Sequence, residues 1–466
     1  MKALSSLLLL SAISVRTEPI SLHPQNPHYF LFRGKPTVLV TSGEHYGAVL
    51  NLDFDFVRYL DTLRADKLNL TRTFSGAYCE PSGSFNIRSN TLAPARDRFI
   101  APWARSDTPG YPNGGNKFDL SKWNDDYFTR LKQFVSEASR LGIVVEFTLF
   151  CPFYDESQWK LSPQNANNNI NGIGTVPRTN VYTLDKNGGL LKVHQALVQK
   201  IVSELQNFDN VMYEVCNEPY FGGVTLEWQH HIADVIFDAE KLKQSPGRHL
   251  ITQNIANNKA KIQKPHRGIS VFNFHYASPP DTVAMNYELN KVIGDNETGF
   301  KGTNDSHYRM EAWQFIMAGG GLFNNLDYSF TVGHEDGTFI YPKTQPGGGN
   351  PAYRKQIKAL TEFIHSFDFV KMHPDNFLIK SGLPEKAKTY ALIEPGRQYA
   401  IYVFGGPQAE LGVDLPAGSY KVEWISPLSG TVLKQANLKH EGGVATLNSP
   451  RYDPDVALRV LSSGAR

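Results

Sequence analysis

Along most of the chain, short apolar runs rich in β-branched residues alternate with longer stretches of helical period. The runs lie at 37–40, 68–74, 143–150, 211–215, 249–252, 269–274, 291–294 and 321–326, and they predict eight strands. Between them, Tyr127, Leu131, Phe134, Ala138 and Leu141 step by 4, 3, 4 and 3, and Gly142 follows as a helix stop. Trp228, Ile232, Val235, Ala239 and Leu242 repeat those steps, as do Tyr353, Ile357, Leu360, Ile364 and Phe367. Further helices are expected near 54–65, 190–205, 281–289 and 305–318, with only a weak segment at 257–263. Strands that alternate with helices pair in parallel, because each crossover lays a helix on the sheet. Eight such units over about 350 residues predict an α/β fold, a (β/α)8 TIM barrel with insertions. An open doubly wound sheet would carry a Gly-rich phosphate turn after its first strand, and here the chain reads Ser42-Gly43-Glu44-His45.

The long insertions, 75–122, 151–189 and 328–350, all leave the C-terminal ends of predicted strands, the face on which barrel sites are built. They carry Tyr78, Trp103, Tyr111, Trp159 and Tyr182, which suggests a walled cleft, and the Asn-rich stretch 165–171 reads as a polar surface loop. After residue 370 the period changes to short alternating segments separated by turns such as Pro395-Gly396 and Ala417-Gly418. That spacing predicts a small C-terminal β-sandwich. The expected organisation is a barrel over 19–370 and a sandwich over 371–466, packed together without a linker.

Charge narrows the partners. The 466 residues hold 47 Lys and Arg against 45 Asp and Glu, a net charge of +2, so no basic or acidic excess points to nucleic acid or a lipid surface. Aromatic residues reach 12%, which suits either flat uncharged ligands such as sugar rings or a large core. Cys79, Cys151 and Cys216 form no CxxC pair and cannot build a disulfide framework or a structural zinc site. At the N-terminus, Lys2, an apolar stretch from Ala3 to Val15 and the small residues around Ala12-Ile13-Ser14 read as an export signal over 1–18. The expected location is therefore secreted or periplasmic. No later run approaches the ~18 apolar residues of a membrane span.

Two motifs carry chemistry. Tyr213-Glu214-Val215-Cys216-Asn217-Glu218-Pro219 closes the fourth strand, and strand alternation puts Glu214 and Glu218 on the inward side with Glu218 at the rim. A rim carboxylate in an aromatic cleft loses hydration, so its pKa is expected to rise toward that of a general acid. Ile293-Gly294-Asp295-Asn296-Glu297 closes the seventh strand and brings a second rim carboxylate, three β/α units away, to the facing side of the same mouth. Two carboxylates flanking one bond are what displacement at an anomeric carbon requires. Asn217 can offer its amide to a substrate hydroxyl.

Asn217-Glu218-Pro219 after strand four, with Glu297 after strand seven, resembles the clan A retaining glycoside hydrolases, cellulase-like barrels among them. The resemblance implies Glu218 as acid/base and Glu297 as nucleophile. It also implies Arg72 as the arginine that supports the nucleophile, His275 and Tyr276 as substrate-side groups, and the Tyr276 phenol on the nucleophile carboxylate. At strand eight, where many members have a cleft Trp, this chain reads Leu326-Asp327-Tyr328, so Tyr328 becomes the candidate sugar platform. Glu44 and His45 after strand one are further candidate substrate contacts. The C-terminal segment resembles β-domains appended to several bacterial glycosidases.

Each motif alone has a plainer reading. Asn-Glu-Pro occurs by chance, Glu214 reads as a barrel-interior group, and Arg72 could be a buried ion-pair partner. The combination points to a retaining β-glycoside hydrolase acting on a carbohydrate by double displacement, with no metal or organic cofactor. An inverting or exo-acting side-chain glycosidase, and a non-catalytic carbohydrate-binding protein on a decayed barrel, stay open.

Overall fold

The computed structural model describes residues 18–241 and 247–464; most of the expected export segment, and Leu242, lie outside the described residues. Eight parallel strands form the central sheet: β1 (Leu39–Gly43), β2 (Leu70–Phe74), β3 (Val144–Phe150), β4 (Val211–Cys216), β5 (Leu250–Asn257), β6 (Ile269–His275), β7 (Val292–Thr298) and β8 (Leu322–Leu326). The ladder runs without a break from β2 through β3 to β8 and on to β1. The seam between β1 and β2 is closed largely by one side chain: the Val40 amide donates to Asn69 Oδ1 at 2.8 Å, and Asn69 Nδ2 donates to the Val38 carbonyl at 2.9 Å. The fold is a (β/α)8-type barrel.

Helices α1 (Phe56–Ala65), α2 (Asp125–Leu141), α3 (Leu190–Leu205), α4 (Leu226–Lys241), α5 (Asp281–Asn286), α6 (Asp305–Met317) and α7 (Pro351–Ile364) surround it. The α2 helix shows how local sequence sets these bounds. Asn124 caps its start by accepting from the Tyr127 amide, Gly142 ends it at φ 74°, and Tyr127, Leu131, Phe134 and Ala138 are buried against the sheet. Each large apolar side chain so buried contributes about 1.5–3 kcal/mol relative to exposure. Among the described residues no helix separates β5 from β6, where the helical pattern is weak.

Three strands depart from the apolar runs. Residues 35–37 belong not to β1 but to a small antiparallel sheet, where Pro36 occupies an edge strand that needs no amide from it. That sheet places Phe30 and Phe32, with Ile20, against the first residues of the barrel strands and plugs the N-terminal mouth. Strands β5 and β7 run several residues past their apolar runs, because Gln253, Asn254, Asp295, Asn296 and Glu297 are accommodated by hydrogen bonds in the upper barrel. Hydropathy does not register such a layer.

The C-terminal β-sandwich has nine strands: β9 (His373–Pro374), β10 (Ile379–Ser381), β11 (Lys388–Glu394), β12 (Gln398–Phe404), β13 (Glu410–Leu415), β14 (Gly418–Ile425), β15 (Val432–His440), β16 (Gly443–Asn448) and β17 (Asp455–Ser462). One sheet has the order β9-β11-β12-β17-β14-β15 and the other β10-β13-β16. It packs directly on α6: Arg309 forks onto Asp455 at 2.8 and 3.0 Å, Tyr402 also donates to Asp455, and Trp313 stacks on the Tyr402 ring. Tyr402, Leu392 and Ala457 share one apolar core with the barrel. No helix among the described residues is long and apolar enough to cross a membrane.

Candidate active site

The C-terminal mouth of the barrel opens into a cleft of about 540 Å³, lined by Glu218 and Glu297 with His45, Tyr46, Asn217 and Tyr276 among others. Strand alternation does not by itself place these groups. Tyr46, Glu218 and Tyr276 follow β1, β4 and β6 with φ of 64°, 33° and 55°, a region disfavoured for residues with a Cβ. The left-handed kink turns each side chain back over the mouth, and such strain is held only where surrounding bonds over-determine it.

Those bonds are present. Glu297 accepts from the Tyr276 phenol at 2.7 Å on one oxygen, and from the Tyr46 phenol at 2.8 Å and Arg72 Nη1 at 3.2 Å on the other. Glu218 accepts from Tyr154 at 2.6 Å and from Tyr220 at 3.2 Å, and its second contact on that oxygen is His275 Nδ1 at 3.2 Å. Below them Arg72, fully buried, bonds Glu214 through Nε and Nη2 and Asn217 through Nη2, with its guanidinium 4.5 Å from the Tyr46 ring centroid. Glu214 also accepts from Thr148 and Asn296, so the arginine stands on a hydrogen-bonded carboxylate.

One oxygen of Glu218, one of Glu297 and a ring nitrogen of His275 lie within 4.8 Å of one another. By spacing alone these three groups could also serve as a metal-ligand set. His275 Nδ1 stands 3.2 Å from Glu218 and 3.6 Å from Glu297, between the two carboxylates.

The protonation of Glu218 differs from the expectation of a raised pKa. Burial does push it up, but the His275 imidazole and the Tyr154 and Tyr220 phenols outweigh that and hold it below its ordinary range. Burial pulls His275 down, yet Glu297 and Glu218 together hold it above 6.5. A proton entering this cluster therefore settles on the imidazole side of the His275–Glu218 contact. His45 is pushed down to about 4, chiefly by burial, so its ring is neutral at pH 7.

The sequence-derived residues divide. Glu218, Glu297, Asn217, His275, Tyr276, Arg72 and His45 converge on the mouth, although Arg72 and His275 are buried beneath the cleft surface and meet its carboxylates, not the open space. Two do not reach it. Glu44, expected to touch substrate, is fully buried and accepts from the amides of Gly47 and Ala48 and from Thr91, so it ties down the loop after β1. Tyr328, expected as a sugar platform, is 2% exposed, and its ring lies edge-on to those of His45 and Phe300. The insertion aromatics Tyr78, Trp103, Tyr111, Trp159 and Tyr182 are likewise buried, packing the loops internally. Asn168 and Asn169, in the stretch expected at the surface, are buried donors to backbone carbonyls.

The exposed rings at the cleft are Phe85, Phe221 and Phe300. Sequence reasoning missed these, together with Tyr46, Tyr154, Tyr220, Glu80 and Asn257. Tyr46 sits two residues past Glu44, and Tyr154 and Tyr220 flank the third and fourth strand ends; proximity to a barrel rim was the available signal.

Solved structures that share this architecture include glycoside hydrolases. One glycoside hydrolase superposes with a TM-score of 0.63 at 14% identity, over 96% of this chain and 98% of its own. A glycoside hydrolase family 5 protein from Bacteroides vulgatus gives 0.61 at 15% identity, over 96% and 93%. This chain shares the fold of both. A family 5 mannosidase from Rhizomucor miehei reaches 0.51 at 14% identity, over 74% of this chain and 97% of its own. No family model matches the sequence, and no curated protein does.

Proposed function

We propose that this protein is a retaining glycoside hydrolase that cleaves β-linked oligo- or polysaccharides. The observation that carries the reading is the pair of facing cleft carboxylates, one oxygen of each within 4.8 Å of the other, an approach that favours the shorter of two known separations. Retaining enzymes place their carboxyl groups about 5–5.5 Å apart, whereas inverting ones need roughly 6.5–9.5 Å to admit a water. Glu297 attacks the anomeric carbon as the bond to the leaving oxygen breaks, and Glu218 gives that oxygen a proton. Water then adds to the anomeric carbon, returns one proton to Glu218 and frees the Glu297 carboxylate. Tyr276, Tyr46 and Arg72 orient the nucleophile. His275 holds the proton 3.2 Å from Glu218 and passes it over when a sugar oxygen replaces solvent at that carboxylate. The apolar N-terminal segment supports export to where such polymers are met.

The test is hydrolysis of a panel of β-glucans, xylans, mannans and aryl β-glycosides; one fold neighbour is a mannosidase, which places β-mannosides in the panel. Proton NMR of the first product should show the β-anomer before mutarotation. An α-anomer would establish inversion instead, and no turnover on any member would reject a hydrolase.

The pH dependence follows from the cluster. His275 is raised above 6.5 and Glu218 lowered, so the shared proton is present at low pH and lost as pH rises through the raised value. The alkaline fall in kcat/KM is expected above pH 6.5, and a pH–rate profile locates it. A fall centred well below 6.5 would contradict the proton-holding role of His275.

A further inference from the structure

A third carboxylate faces the cleft. Glu80, in the loop between β2 and α2, is 3% exposed and lines the same cavity as Glu218 and Glu297. It also borders a second, more polar cavity of about 560 Å³ shared with Asn51, Asn90 and Asn113. Its backbone amide donates to the Leu92 carbonyl at 2.8 Å, which pins two limbs of the loop together. Its carboxyl meets the Tyr78 phenol at 2.9 Å on one oxygen and Asn90 Nδ2 on the other. Among the described residues no cation pairs with it.

We propose that Glu80 reads the substrate: together with Tyr78 it donates one hydrogen bond to a hydroxyl oxygen of an uncharged sugar bound in the cleft. The inference rests on the glycoside hydrolase reading and adds a binding residue to it. With a neutral Glu80, the carboxyl and the phenol carry two hydroxyl hydrogens but make one bond between them. One hydrogen is left over, and the carboxyl that carries it borders the cleft as well as the second cavity. A sugar hydroxyl oxygen is the matching acceptor, and leaving a buried donor unmet is costly.

Burial pushes Glu80 up to about 7, against the lowering effect of Tyr78 and Asn90. The charges of Glu297 and Asp155 raise it further. Tyr78, Cys79, Cys151 and Tyr328 also face it from the surrounding loops and strand ends. The surplus hydrogen is therefore present below pH 7 and lost as pH rises through that value.

The experiment measures KM and kcat from pH 5 to 9 for the unaltered enzyme, Glu80→Gln and Glu80→Ala on the best neutral substrate of the panel. KM of the unaltered enzyme should rise above pH 7, by up to tenfold per unit. Glu80→Gln keeps a donor at every pH, so its KM should stay level and within about threefold at pH 6. Glu80→Ala should raise KM at pH 6 roughly tenfold or more, with kcat changed far less. Circular dichroism checks folding, and the near-isosteric Gln variant supplies the decisive pH profile if the Ala variant fails to fold. A Glu80→Gln KM that climbs with pH like the unaltered enzyme's, or a folded Glu80→Ala within twofold of it, overturns the role of Glu80 alone. Lack of turnover by the unaltered enzyme on every glycoside removes the hydrolase reading and this inference with it.

Discussion

Glu297→Ala is expected to lower kcat by about 10⁴-fold or more, because no other group stands where the anomeric carbon can be attacked. The fold should survive. Arg72 keeps Glu214 and Asn217, and the phenols of Tyr46 and Tyr276 gain access to water in the opened cleft. Binding of an intact oligosaccharide, measured by calorimetry, should persist, since the contacts remote from the bond remain. The alanine also opens room for a small anion. Azide should restore turnover and yield the α-glycosyl azide, the product of a single displacement from the nucleophile's side. Glu218→Ala should respond in the opposite sense: activated aryl glycosides still form the glycosyl-enzyme, and azide gives the β-product. A Glu297→Ala enzyme retaining a tenth of its activity would exclude the nucleophile assignment, and exchanged azide products would reverse the two roles.

Arg72→Met should cost stability as well as activity. The guanidinium is fully buried, with Glu214 on one side and Glu297 on the other, and among the described residues no lysine and no other arginine bonds either. Removing it leaves two carboxylates inside the barrel without their counter-charge, a change that costs about 3–5 kcal/mol. For a chain of this size that corresponds to a fall in Tm of roughly 3–5 °C, read by thermal unfolding. Arg72→Lys should fall between, since an ammonium supplies charge but not the fork that reaches Glu214, Asn217 and Glu297 together. A Tm for Arg72→Met within 2 °C of the parent would mean that the arginine–carboxylate pairing beneath the cleft does not support the barrel.

The barrel was legible because its signals are local: β-branched runs, helical steps and stops such as Gly142 depend on near neighbours. The rim motif at Glu218 was legible for the same reason. What stayed hidden depends on distance in the chain. Tyr46 reaches Glu297 across 251 positions and Tyr154 reaches Glu218 across 64, and neither tyrosine differs in its local sequence from one packed in a core. Glu44 misled because a polar residue at a strand end suits loop anchoring as well as ligand contact. Tyr328 misled because a ring at the eighth strand can lie on its edge behind two others. Desolvation alone gave the wrong direction for Glu218; of the groups that reverse it, the His275 imidazole and the Tyr154 phenol come from two other segments, and only the Tyr220 phenol lies nearby in the chain. Asn168 and Asn169 show the same limit from the other side, since amides that satisfy buried carbonyls look, as letters, like a solvated loop.

The way the sandwich meets α6 restricts how this architecture can be divided. Arg309 and Asp455 are both buried, and each would face water or apolar surface without its partner if the chain ended after α7. Trp313 would lose the ring it lies on, and the barrel would expose the flank that β12 and β17 now cover. The C-terminal sheets are thus no detachable cassette: recombination that exchanged them for another appendage would have to redesign the outer face of α6 at the same time.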